Sequence, residues 1–193
     1  MTYLIAVSLF LQFASGQSAA NPAERLKAKV PVTLVRDVRT DRLAGKYKNP
    51  SAEVLKQIGG ALSGDELYLF PDGTYIYCEW ADISPRTVED KGKWKFNAGL
   101  LELTSDPEII WQTSLEREYV AVYRKSHPEE VLLVGTGRDL AYFEDNAGDD
   151  PEFMLLINSK GREKNIKQSK AAKLKAKIMA EARRPDFHKP QGP

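Results

Sequence analysis

GDELYLFPDGTYIYCEWADISPRTVEDKGKWKFNAGLLELTS, residues 64–105, is the stretch whose reading decides the fold. It reads as two consecutive antiparallel hairpins. Leu67 to Phe70 is a short apolar run closed by Pro71-Asp72-Gly73-Thr74. Proline presets φ at the first corner, aspartate accepts backbone N–H groups, and glycine takes the positive-φ corner without steric cost. Tyr75 to Trp80 resumes with aromatic and β-branched residues suited to a pleated surface. After a polar loop, Gly92 to Asn97 alternates, with Trp94 and Phe96 on one face and Lys93, Lys95 and Asn97 on the other. Ala98-Gly99 turns the chain, and Leu101 and Leu103 repeat the inward face. A period of two belongs to a sheet with one wet side.

Outward from this stretch the same pattern continues. Ile109–Leu115, Arg117–Arg124, Val131–Gly135, Leu140–Phe143 and Phe153–Asn158 read as further strands. Upstream, Gly45 with Tyr47 suits a close backbone approach plugged by a ring, or an ordinary strand end. Ser51 to Gly59 reads as a short helix, with Ser51 as N-cap, Val54, Leu55 and Ile58 on one face, and Gly59 past the end. Ala23–Lys29 reads as a linker or short helix before an extended Val30–Val38 piece. Tight turns and no helical crossovers imply an antiparallel meander of about eight or nine strands, which closure into a barrel relieves of open edges. The expected class is therefore all-β: an up-and-down barrel with a short N-terminal helix and a basic C-terminal helix.

The chain has 193 residues, 42% hydrophobic and 28% charged, with a formal net charge of +1. That length suits one domain plus extensions. From Lys160 onward eleven Lys or Arg stand against three acids, so a tail near +8 follows a body near −7. Residues 1–20 hold an apolar run followed by small residues, the pattern of a signal peptide but with no Lys or Arg before the run. This predicts a secreted or periplasmic protein. The expected divisions are 1–20 signal peptide, 21–41 linker, 42–160 barrel, 161–184 basic helix and 185–193 disordered tail. The helix is read as leaning on the barrel from outside, and because its apolar stripe is narrow, removing Lys160 to Pro193 is expected to lower stability modestly and leave the barrel folded. Cys78 is the only cysteine, which excludes an intrachain disulfide.

Three segments resemble the small bacterial lipocalin-like domains of the calycin type: Leu43-Ala44-Gly45-Lys46-Tyr47, Phe70-Pro71-Asp72-Gly73-Thr74-Tyr75, and Gly92-Lys93-Trp94-Lys95-Phe96 with Leu100-Leu101-Glu102-Leu103. The resemblance spans about Leu43 to Ile178, and Tyr47 stands where such domains usually place a tryptophan. It implies a barrel that binds a small apolar molecule in its interior.

Motifs that carry catalytic chemistry are thin. The sequence contains no phosphate-cradling glycine loop, CxxC, HExxH or GxSxG. No cofactor is expected. A carboxylate-based hydrolase ranks third among the readings. Glu144 to Glu152 is a dense acidic loop, either a polar connection or a calcium-type oxygen cluster without EF-hand spacing. Trp80, Trp94, Phe96, Trp111, Tyr119 and Tyr142 are the candidate ligand-binding lining, with core filling as the alternative. In the Tyr75–Trp80 strand, Glu79 decides the facing, because an unpaired buried carboxylate costs several kcal/mol. Ile76, Cys78 and Trp80 are thus expected inside, Tyr75 and Tyr77 outside or under helices. The tail helix carries a narrow stripe of Ile166, Leu174 and Ile178 on a lysine-rich cylinder. It leans on the barrel or meets an anionic surface, and its lack of interleaved aromatics argues against specific nucleic-acid binding. These features predict a monomeric, non-enzymatic binding protein for a small, partly apolar molecule. The alternative is an interaction protein that holds an anionic partner or membrane surface through its basic helix.

Overall fold

The computed structural model describes residues 21–36, 39–107, 115–146 and 150–182. Its strands are β1 (Val32–Leu34), β2 (Gly45–Asn49), β3 (Ser63–Leu69), β4 (Thr74–Ala81), β5 (Ser84–Asn97), β6 (Leu100–Ser105), β7 (Glu118–Arg124), β8 (Val131–Gly135) and β9 (Lys160–Asn165). The helices are α1 (Pro22–Lys29), α2 (Thr40–Leu43), α3 (Ala52–Ile58), α4 (Arg138–Asp145), α5 (Pro151–Ile157) and α6 (Gln168–Glu181). Strands β2 to β9 form a closed antiparallel barrel of eight, since β9 pairs with both β2 and β8, and β8 pairs back to β7. β1 is the extra strand, laid along the end of β7 from Val32 opposite Arg124 to Leu34 opposite Val122.

The turns form for the reasons their residues supply. Phe70 N–H donates to the Thr74 carbonyl at 2.8 Å, Gly73 takes φ 77°, and the Asp72 carboxylate accepts from both the N–H and the hydroxyl of Thr74. The Ala98-Gly99 corner has φ 49° and 93°, the double left-handed turn that matches strand twist. It sets the register that pairs Trp94 with Leu103 and Phe96 with Leu101. In α3 the Ser51 hydroxyl accepts from Val54 N–H at 3.3 Å, and Gly59 closes the helix at φ 79°. A side chain at Gly45 would place its Cβ 2.9 Å from the Lys164 carbonyl, so β2 and β9 meet closely at that residue.

Several segments differ from the sequence expectation. Residues 84–91 are not a loop: β5 runs unbroken for 14 residues. Leu140–Phe143 and Phe153–Ile157 lie in helices α4 and α5 rather than strands. Short apolar runs do not separate strand from buried helix by pattern alone, and here the caps decide. Asp150 accepts from Phe153 N–H at 3.0 Å with Pro151 in the first turn, and Glu116 accepts from the N–H groups of Gly137 and Asp139. The charged run Lys160–Asn165 is no part of the tail helix. It is β9, the strand that closes the barrel, and the helix begins at Gln168. Residues 1–20, 183–193 and 108–114, where the signal peptide, the disordered tail and most of the Ile109–Leu115 strand were expected, lie outside the described residues.

Three apolar clusters organise the interior. One lies in the bore, with Tyr47, Tyr75, Tyr77, Trp94 and Tyr119 among leucines from β3, β6 and β8. A second packs α1, α4 and α5 on the outside of β7 and β8, through Leu26, Leu140, Phe143 and Leu155. The third packs α6 on the outside of β3 and β4, joining Tyr68, Phe70, Ile76 and Cys78 to Ile166, Ala171 and Ile178. The facing expected for β4 is therefore reversed. Tyr75 and Tyr77 point inward, and Ile76, Cys78 and Trp80 point outward. Glu79 turns inward without isolation, because the Tyr77 hydroxyl donates to it at 3.0 Å, while α6 gives the outward apolar residues their cover.

Candidate functional site

Inside the bore, ring after ring is tied down. Tyr47 donates to the Leu43 carbonyl at 2.9 Å, and Trp94 Nε1 donates to the Phe70 carbonyl at 3.0 Å. Tyr75 donates to the fully buried Asp90, which also accepts from Ser105 at 2.8 Å and bonds Arg117. Burial pushes the Tyr75 hydroxyl up to about 12. Lys160 bonds Asp65 and lies 5.5 Å from the centre of the Tyr77 ring. Burial raises the Asp65 carboxyl above its ordinary range although Lys160 pulls the other way. The Tyr119 hydroxyl alone among the described tyrosines is buried with no partner, and burial carries it well above its usual range.

Of the six candidate lining residues, the structure brings three together. Trp94 and Tyr119 are buried in the bore cluster, and Phe96 packs against it. Trp80 is on the outer face, beneath Lys48 at 5.0 Å and against Gly64, whose missing side chain leaves room for the indole. Tyr142 rides the exposed side of α4, 39% accessible, because Leu140 and Phe143 take the inward side of that helix. Trp111 lies outside the described residues. The rings that reach the bore pack into one buried cluster, and eight strands leave a bore about wide enough for their own side chains.

A concavity lies outside, between α6 and the barrel wall. It is a half-open groove of about 830 Å³. Tyr68 and Ile166 from the wall meet Leu174 and Ile178 from the helix to make its apolar floor. Lys46, Arg86 and Lys164 border it from the wall, and Lys167, Lys170, Lys173 and Lys177 from the helix; Glu163 and Glu181 are the acids on its rim. Beneath the rim Glu66, only 3% exposed, accepts from Tyr68 at 2.6 Å and pairs with Lys46 at 2.8 Å and Arg86 at 3.1 Å. Burial opposes the charge on Glu66, but the hydrogen bonds from Lys46 and Tyr68 outweigh it and hold the carboxyl below its usual range. The same contact and burial push the Tyr68 hydroxyl far above its own. Arg86 Nε is buried without a partner, and Lys164, Lys167, Lys170 and Lys173 make no ion pair among the described residues.

Sequence reasoning found the helical stripe but not its partners on the wall. A signal was present. Tyr68, Phe70, Ile76 and Cys78 make the outward face of β3 and β4 as apolar as the inward one, which in an antiparallel sheet means something covers it. In the described part of the acidic loop Glu144 pairs with Arg25 at 2.5 Å and Asp150 caps α5, and no group of three or more acid, His or Cys side chains among the described residues is placed to hold a metal. No described helix is long and apolar enough to cross a membrane. No family model matches the chain, and no curated protein or solved structure matches it significantly.

Proposed function

We propose that the protein is a non-enzymatic binding protein for a small, partly apolar molecule, exported by way of residues 1–20, and that the ligand lies beneath α6 rather than in the bore. One contrast carries this reading. The bore holds a buried cluster of rings, most of them hydrogen-bonded, whereas the groove under α6 is open and combines an apolar floor with a cationic rim. Its volume falls within the roughly 300–1,000 Å³ of small-molecule sites. The same lysines favour a second reading, contact with an anionic partner or membrane surface. The apolar floor between helix and wall favours the first.

The test is a titration with an anionic aromatic dye such as anilinonaphthalene sulfonate. Saturable one-to-one binding is expected, lost in Leu174→Glu, which sets a carboxylate on the groove floor, and retained in Phe96→Ala, which alters the bore. The opposite ranking puts the ligand in the bore, and the absence of saturable binding removes the reading. Export has its own check: intact mass of protein from its native host should lack the initial apolar run, and retention of residues 1–16 refutes it.

A further inference from the structure

We infer that the groove beneath α6 takes a single-chain amphiphile with a phosphate headgroup, a deepening that rests on the binding reading above. The floor supplies a place for one chain. Tyr68 lies in it with Ile166, Leu174 and Ile178, and these belong to the same cluster as the fully buried Cys78. A bilayer is a poorer fit than a single chain. Met179, at 45% exposure, is the only large apolar residue that α6 turns to solvent, so the helix has no outer apolar face to sink into lipid.

The rim supplies the headgroup chemistry. One built-in carboxylate, Glu66, already engages Lys46, Arg86 and Tyr68, so the wall holds one oxyanion without help. Four further lysines, Lys164, Lys167, Lys170 and Lys173, remain without an ion pair among the described residues. Arg86 keeps a buried Nε donor with no acceptor among the described residues. An unmet buried donor is costly, and an oxygen arriving at the floor relieves it. A monocarboxylate offers one charge in one plane. A phosphate offers nearly two charges and three acceptor oxygens, which suits several separate ammonium groups and a guanidinium. Lysine ammonium groups on flexible stems can close on such a headgroup from both sides of the groove.

Calorimetric titration with four-teen-carbon probes below their micellar concentrations separates the possibilities. Myristoyl lysophosphatidate should bind at one per chain. Monomyristoylglycerol, with the same chain and no charge, should bind at least about tenfold more weakly, the loss expected for one charged hydrogen bond. Myristate should lie between them. Arg86→Gln and Lys170→Gln should each weaken the lysophosphatidate about tenfold without moving the far-ultraviolet spectrum. Labelling of Cys78 by a thiol reagent should slow on saturation, because the chain seats between α6 and the wall above it. Equal affinity for the phosphate and the neutral glyceride overturns the headgroup assignment and leaves the binding reading standing. Glycerol phosphate binding as tightly as the lysophosphatidate overturns the chain. Binding to phosphatidate vesicles without uptake of single-chain lipid overturns the groove in favour of a surface contact. No binding by any probe overturns both the inference and the reading beneath it.

Discussion

The bore of the barrel and the wall beneath α6 are built from alternate residues of the same strands, yet they solve opposite problems. In the bore, large rings meet one another and nearly every polar tip has a fixed acceptor: Tyr47 on Leu43, Trp94 on Phe70, Tyr75 on Asp90, Tyr77 on Glu79. Beneath α6 the apolar floor is shared between two elements and its rim leaves cations unmatched. Interiors packed at close density resist change, while a surface covered by one helix can part from it. The difference teaches where binding is compatible with the fold. A ligand in the bore would contend with side chains that hold the barrel together; a ligand under α6 need only share a seam.

The contrast can be broken most forcefully from inside. Trp94→Ala should cost about 3–5 kcal/mol, since it removes a buried indole from a site that cannot collapse. Denaturant unfolding measures it, and a small loss would mean that the bore has slack. Truncations come next, and they differ sharply. Ending the chain at Ser159 removes β9 and should leave no cooperative unfolding transition, contrary to the expectation of a folded barrel that is only modestly less stable. Ending it at Lys167 should keep the barrel folded while exposing Cys78, now fully buried, to thiol reagents. Ile178→Ala at 1% exposure should cost about 2 kcal/mol, at the low end for such a truncation because the site is peripheral, and should hasten Cys78 labelling.

The smallest expected effect concerns acid. The carboxyl of Glu66 is held below its ordinary range in the fold, so its ionised form contributes stability above the unfolded value of 4.5 and loses it as pH falls through the folded value. Glu66→Gln should therefore be less stable than the parent at neutral pH, with the difference shrinking as the solution is acidified. Denaturant midpoints across a pH series read this directly. A difference that persists unchanged at the acid end would mean that shape, not charge, holds Glu66 in place.

Much of the barrel was legible because its turns announce themselves. Pro71-Asp72-Gly73 and Ala98-Gly99 have no comfortable alternative conformation, and the Lys93 to Asn97 alternation assigns its inward face without help. The facing of β4 was not legible, because both of its faces are apolar and the deciding argument assumed that Glu79 would lack a partner. The donor that meets it, the Tyr77 hydroxyl, becomes inward only once the strand is turned that way. The run Lys160 to Asn165 was opaque for a different reason. Its charges resemble those of the following helix, and the groups that make Lys160 acceptable inside the barrel, Asp65 and the Tyr77 ring, lie far earlier in the sequence. Of the candidate site, the helical stripe of Ile166, Leu174 and Ile178 could be read locally, whereas Lys46, Tyr68 and Arg86 join it only through tertiary pairing.

The closing strand β9 also governs when this chain can become a protein. Arg42 and Arg162, joined by a hydrogen bond beside the β2–β9 seam, are 120 positions apart in sequence. Synthesis therefore delivers seven of the eight barrel strands before the one that seals them, leaving β2 and β8 with unpaired backbone groups in the interval. Such distant pairing is intrinsically slow to form. The positive charges of Lys160, Arg162 and Lys164 keep that late strand soluble and discourage it from joining another copy of itself until its own two partners are ready.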